Sequence, residues 1–97
     1  MKKIALVSGG FDPIHSGHIE YFKAARLFGD MLIVALNSDQ WLINKKGKFF
    51  MPFEERSNII SNLKVVDRVI HFDDDEQGSC ALGLEKVKSL YPDCEII

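Results

Sequence analysis

Short apolar runs alternate with longer stretches whose apolar residues recur at helical spacing, and this alternation narrows the possible folds more than any other property of the 97-residue chain. Ile4-Ala5-Leu6-Val7 lies between lysines and glycines and is too short for a helix, so it reads as a buried strand. Met31 to Leu36 is apolar without alternation, as a strand covered on both faces should be. Val65-Val66 with Arg68 to Phe72 supplies a third strand, and Cys94-Glu95-Ile96-Ile97 opens a fourth. Between them, Tyr21, Ala24, Ala25 and Phe28 mark one helix, with Ser16 placed to cap it and Gly29 to end it. Pro52 suits the first position of a second helix bearing Arg56, Ile59, Ile60 and Leu63 on one face. Cys80, Leu84, Val87 and Tyr91 mark a third, which Pro92 stops. Gln40 to Met51 reads as a polar loop carrying lysines. Strands alternating with helices imply a parallel sheet joined by right-handed crossovers, a Rossmann-like three-layer α/β/α fold in one domain.

Composition excludes several classes of partner. Net charge is −2 with both signs interspersed, so there is no basic field of the kind that nucleic acid requires. No segment approaches the ~20 apolar residues of a membrane span. The two cysteines, Cys80 and Cys94, fit neither a metal pattern nor a disulfide framework. The apolar run after Met1-Lys2-Lys3 is too short for a secretory signal, and a reducing cytoplasm is the expected compartment.

The decapeptide Gly9-Gly10-Phe11-Asp12-Pro13-Ile14-His15-Ser16-Gly17-His18 follows the first strand. A phosphate needs backbone N–H groups, a positive helix end and mobile positive charge in one place, and this segment supplies all three. Gly9 and Gly10 let the main chain approach a ligand, and Gly17 opens a helix. His15 and His18 lie one turn apart, so both rings can face one phosphate. An imidazole titrates near ~6.5, and an anionic ligand raises that value, so imidazolium would stabilise charge on a transferring phosphoryl group. Histidines that merely cap or pack a helix start are the plainer reading of an isolated pair. Zinc is a third reading, but no third ligand accompanies them, and no metal site is assigned to the protein.

His15-Ser16-Gly17-His18 after Gly10-Phe11-Asp12 resembles the H-x-G-H signature of the nucleotidyltransferase superfamily. Gly29 to Ala35 with Asn37-Ser38-Asp39, then Glu55-Arg56, then Val66-Asp67-Arg68-Val69, extends the resemblance to its cytidylyltransferase-like branch over nearly the whole chain. Glycerol-3-phosphate cytidylyltransferases and the adenylyltransferase domains of ADP-heptose synthases are the most similar groups. The adenylyltransferases of NAD and coenzyme A synthesis share the opening motif, but the Asn37-Ser38-Asp39 and Val66-Asp67 matches argue against them.

The resemblance implies transfer of a nucleoside monophosphate from CTP or ATP to a phosphorylated alcohol or sugar, with release of pyrophosphate. Mg²⁺ would arrive with the triphosphate, and a homodimer is expected. His15 and His18 would contact the triphosphate, Gly10 and Phe11 would offer backbone contacts, and Asp12 would order the loop. Lys45 would reach the phosphates, with Lys46 as the fallback, although loop lysines are commonly just solvated. Arg56 would face a phosphate, its plainer role being an ion pair with Glu54 or Glu55. Asp39 would contact the acceptor, where an Asx turn or a helix cap explains the same residue.

Trp41, Phe49, Phe50 and Phe53 suit an acceptor pocket or simple packing, and the acidic run Asp73-Asp74-Asp75-Glu76 is assigned no role. The family continues through a further strand and a serine/threonine-rich motif that this sequence lacks. The expectation is therefore a domain truncated at its C-terminus, with a catalytically incomplete nucleotide-binding or regulatory module as the alternative function.

Overall fold

The computed structural model describes residues 2–74 and 81–97. Its element order is β1 (Lys3–Gly9), α1 (Ser16–Arg26), β2 (Met31–Leu36), α2 (Asp39–Lys46), α3 (Phe53–Ser61), β3 (Arg68–His71), α4 (Ala81–Leu90) and β4 (Glu95–Ile96). All strand pairs are parallel, in the order β3-β2-β1-β4. The first three strands run outward in one direction and the fourth returns to the far side of β1. The carboxyl end of β1 therefore lies at the switch in strand order, where open α/β sheets bind ligands.

Two apolar clusters clothe the sheet. On one face Ala5, Val7, Leu32, Val34 and Leu36 pack with Phe11, Phe22 of α1, Ile60 of α3 and Val66. On the other, Ile4, Ile33, Ala35, Ile70 and Phe72 pack with Val87 of α4. Alternation along the strands thus sends successive residues of Leu32 to Leu36 into opposite clusters. Because both faces are covered, β2 is apolar throughout. No helix among the described residues is long and apolar enough to cross a membrane.

Several local expectations change. Gln40 to Met51, expected to be loop, holds most of α2: the Ser38 hydroxyl accepts the Trp41 amide at the N-cap, and Gly47 ends the helix at φ 84. His15 rather than Ser16 caps α1, and that helix ends at Arg26, before Gly29. Its buried residue is Phe22, while Tyr21 and Phe28 lie exposed, because Phe11 packs edge-on against Phe22 and turns that face inward. Pro52 is the N-cap of α3, not its first residue. In α4 the buried residues are Gly83 and Val87, with Leu84 exposed. Cys80 lies outside the described residues, as do Asp75 and Glu76 of the acidic run. Cys94 is a free thiol.

Two aspartates stitch the amino edge of the sheet. The Asp67 carboxylate accepts the Leu32 amide at 2.7 Å, and the Leu32 carbonyl accepts the Asp67 amide at 2.9 Å. Asp30 accepts the Lys3 amide at 2.8 Å and donates its own to the Lys3 carbonyl at 2.7 Å. Gly29 lies against this seam. A Cβ there would stand 2.8 Å from the Ala5 nitrogen and 3.0 Å from the Lys3 oxygen, both backbone atoms that cannot move aside. Gly29→Ala should therefore destabilise the fold by about 1–3 kcal/mol. In thermal unfolding that is a fall of roughly 5–20 °C, and an unchanged midpoint would show that the seam yields.

Candidate functional site

Arg56 sits at the centre of the carboxyl edge, fully buried. Its Nε donates to the Met51 carbonyl at 2.9 Å. One terminal nitrogen donates to the Gly10 carbonyl at 2.9 Å and the Asn37 carbonyl at 2.8 Å. The other donates to the Asp39 carboxylate at 2.6 Å. A buried ion loses several kcal/mol of hydration unless such partners replace its water, and here three carbonyls and a carboxylate do so. The planar fork of guanidinium suits four acceptors spread around one plane; an ammonium would not. Arg56 is thus engaged with the protein itself, neither turned outward to a phosphate nor paired with Glu54 or Glu55. Asp39, expected to meet an acceptor, holds Arg56 while its side chain keeps about a third of its surface exposed (34%).

Asp12 closes the ring of contacts from the other side. Its carboxylate accepts the Phe50 amide at 2.7 Å and the Met51 amide at 2.6 Å, and Lys46 lies 3.3 Å away. Lys46 also donates to the Asp12 carbonyl at 2.8 Å. Burial by itself pushes the Asp12 carboxyl up. The two amides and Lys46 outweigh that, and the group is held below its ordinary 3.8. The segment from Gly10 to Asp12 is accordingly pinned at both ends, by Arg56 and by the residues following α2. Between the pins Phe11 is buried at φ 50, a left-handed conformation that costs a bulky residue about 1–3 kcal/mol. Its ring lies edge-on to His18 and to Phe22, with centroids 5.0 Å away in each case.

The two histidines build the start of α1. The His15 Nδ1 accepts the Gly17 amide at 3.0 Å, and the His18 Nδ1 accepts the His15 amide at 3.2 Å, a reciprocal capping box. The rings stack with centroids 3.8 Å apart and planes 26° apart. A Cβ on Gly17 would stand 2.8 Å from the His15 ring, so only glycine lets that ring fold onto its amide. With each Nδ1 an acceptor, the proton of each neutral ring is assigned to Nε2, which has no acceptor among the described residues. Burial, and next the charge of His15, push the His18 pKa below 6.5. Without ligand His18 therefore favours the neutral N–H donor form, and the imidazolium expected from sequence is one that an anionic ligand would have to induce.

The expected lysines both fall in the last turn of α2. Lys46 reaches Asp12 as described, and Lys45 lies over the Trp41 ring, 4.7 Å from its centroid. Trp41 in turn stands beside Gly10, where a Cβ would come within 3.4 Å of it. Gly10, Phe11, Asp12, His15, His18, Asp39, Lys46 and Arg56 are linked by these contacts into one region, and Lys45 borders it through Trp41. No three His, Cys, Asp or Glu side chains converge as a metal-ligand set among the described residues.

One residue of this edge went unnoticed as a candidate. Asn37 is fully buried, and neither its side-chain oxygen nor its nitrogen has a hydrogen-bond partner among the described residues. Each such unmet group costs about 1–3 kcal/mol. Its backbone is fixed, with the amide donating to the Gly9 carbonyl at 2.9 Å and the carbonyl held by Arg56. A polar residue directly after five buried apolar ones was the available signal.

Residues 6–97 match the family model described as cytidylyltransferase-like. Bifunctional protein HldE of Geobacter sulfurreducens is 40% identical over 76 residues, covering 76% of this chain and 16% of that protein. HldE of Campylobacter curvus is 40% identical over 95 residues, covering 95% and 19% respectively. Among solved structures, the lipopolysaccharide core biosynthesis protein from Thermoplasma volcanium superposes with a TM-score of 0.78 at 32% identity, covering 91% of this chain and 70% of that one. The chain thus spans less than a fifth of the length of these curated relatives.

The lowered pKa of Asp12 makes stability depend on pH in a stated direction. The contribution is complete above the unfolded value near 3.8 and is lost as pH falls through the lower folded value. Denaturant unfolding between about pH 5 and pH 2 should show a decline that Asp12→Asn makes shallower, at the cost of lower stability at neutral pH. Parallel pH profiles for the two proteins would contradict this assignment.

Proposed function

The chain belongs to the cytidylyltransferase-like family, and from that membership we propose that it transfers a nucleoside monophosphate from CTP or ATP to a phosphorylated alcohol or sugar, releasing pyrophosphate. The observation that carries the reading is the stacked histidine pair at the start of α1, whose Nδ1 atoms are used by the helix cap and whose Nε2–H groups remain to donate. The lipopolysaccharide-core name of the structural relative is in keeping with a sugar phosphate as acceptor.

In this reading the triphosphate lies across the amino end of α1, where backbone N–H groups and the helix dipole favour anions. An oxygen of the acceptor's phosphate attacks the α-phosphorus in line. The bond from that phosphorus to the bridging oxygen breaks, and pyrophosphate leaves with the electron pair. Transfer of this kind relies on positioning and on stabilising spread-out charge, more than on covalent chemistry by the protein. His15 and His18 donate through Nε2 to the phosphate oxygens. The anion's arrival raises the His18 pKa, so the ring gains a proton when the charge it must stabilise is present.

Lys45 and Lys46 supply cationic charge for the departing pyrophosphate. Arg56 acts by holding Gly10 and Asp39 in register, and so positions the groups that touch ligand. Mg²⁺, when bound with the nucleotide, would neutralise part of its phosphate charge. That mode suits a site whose nearest carboxylates, Asp12 and Asp39, already accept bonds from amides, Lys46 and Arg56.

Pyrophosphate release on mixing the protein with CTP or ATP, Mg²⁺ and glycerol 3-phosphate or a sugar 1-phosphate tests the proposal. His18→Ala should lower kcat by about a hundredfold or more with the far-ultraviolet circular dichroism unchanged. Turnover unaffected in the folded variant would remove His18 from the mechanism. Nucleotide binding without release for any acceptor would leave a binding module in place of an enzyme.

A further inference from the structure

Asn37 has a property that the architecture alone does not require: a carboxamide sealed from solvent with both its donor and its acceptor unmet among the described residues. Buried polar groups are nearly always satisfied, and a side chain kept only for packing would be better served by an apolar residue of similar volume. Leu32 to Leu36, just before it, are such residues and all are buried. The exception falls one residue beyond the end of the strand, at the carboxyl edge where ligands of these sheets bind. Its backbone is clamped on both sides, by the Gly9 carbonyl and by the Arg56 guanidinium, which fixes the point from which the carboxamide starts. Next to it, Ser38 Oγ donates to Asp74 at 2.7 Å, a solvent-exposed bond joining the start of α2 to the segment after β3.

We infer that the Asn37 carboxamide is a specificity determinant that recognises a hydroxyl of the acceptor's carbon skeleton. The inference rests on the transfer reading above and adds to it. A carboxamide offers one acceptor and two N–H donors, and a hydroxyl is both donor and acceptor, so a pair of neighbouring hydroxyls matches it. A phosphate has only acceptors to offer when ionised, and the histidines and lysines already meet that need. Asn37 thus reads the alcohol or sugar, while the residues around α1 read phosphate. Before the acceptor arrives the carboxamide is a stability defect, and the acceptor's hydroxyls remove it.

This assignment predicts two effects that a structural role would not combine. Asn37→Leu should raise the midpoint of thermal unfolding, because an unmet polar group is replaced by an apolar one of similar size. The same change should weaken binding of glycerol 3-phosphate or mannose 1-phosphate by about ten- to a hundredfold, while CTP, ATP and inorganic phosphate bind within about twofold of the unsubstituted protein. Calorimetric titration with each probe and a thermal melt supply both readouts. Asn37→Ser, which keeps a donor and an acceptor, should retain more of the polyol affinity than the leucine variant.

A lowered melting midpoint in Asn37→Leu, or polyol phosphate affinity within about twofold of the unsubstituted protein in that variant, would overturn the inference. Equal loss of inorganic phosphate and polyol phosphate would overturn it too, by showing that the site as a whole had shifted. If the unsubstituted protein binds nucleotide but neither polyol phosphate, the inference fails while the donor half of the transfer reading stands. If it binds none of the probes, the transfer reading itself fails.

Discussion

A charged guanidinium held entirely away from water is the constraint on which the carboxyl edge of this protein depends. Arg56 joins three chain segments that are distant in sequence: the loop after β1 through Gly10, the end of β2 through Asn37 and Asp39, and the approach to α3 through Met51. Each acceptor it holds is a carbonyl or carboxylate that would otherwise need water, and Arg56 in turn needs them to replace the hydration it loses on burial. The contacts are therefore mutually dependent. Loss of one partner leaves uncompensated polarity on both sides.

From this clamp the rest of the site follows. With Gly10 fixed and Asp12 bound to the amides of Phe50 and Met51, the short segment between them has little choice, and Phe11 is held in a left-handed conformation it would not adopt alone. Its ring then lies against His18 and Phe22, which sets the rotation of α1 about its axis. One-turn spacing and the reciprocal cap bring His15 and His18 together as a stacked pair whose Nδ1 atoms close the helix start. Capping and ligand binding are not competing explanations of the histidines here. Because the cap uses Nδ1, it fixes the tautomer and leaves Nε2–H for another partner.

The layered parallel fold was legible because apolar runs without alternation have few other uses, and β2 matches its expected bounds, Met31 to Leu36. The position of the histidines at a helix start was legible for the same local reasons. Three features were not. The helix face of α1 was misjudged because Tyr21 and Phe28 offer the same spacing as a buried stripe, and only the position of Phe11 decides which side turns inward. The α2 helix was hidden by its polar sequence, although Ser38 and Gly47 bracket it as caps. Arg56 read as a phosphate-facing residue or a partner of Glu54 or Glu55, since nothing local shows that four acceptors from remote segments converge on it. The aspartates of the family pattern divide in the same way: Asp30 and Asp67 secure the amino edge of the sheet, whereas Asp12 and Asp39 shape its carboxyl edge.

The central claim, that one buried guanidinium organises this edge, is tested most directly by the unfolding free energy of Arg56→Lys in urea. Lysine keeps the charge but concentrates its three donors at one point, and it cannot serve the Met51, Gly10 and Asn37 carbonyls and the Asp39 carboxylate together. The account predicts a loss of about 3–5 kcal/mol, a large share of the roughly 5–15 kcal/mol typical of a domain. A loss below about 1 kcal/mol would contradict it, because the charge alone would then suffice and the geometry of the fork would be incidental.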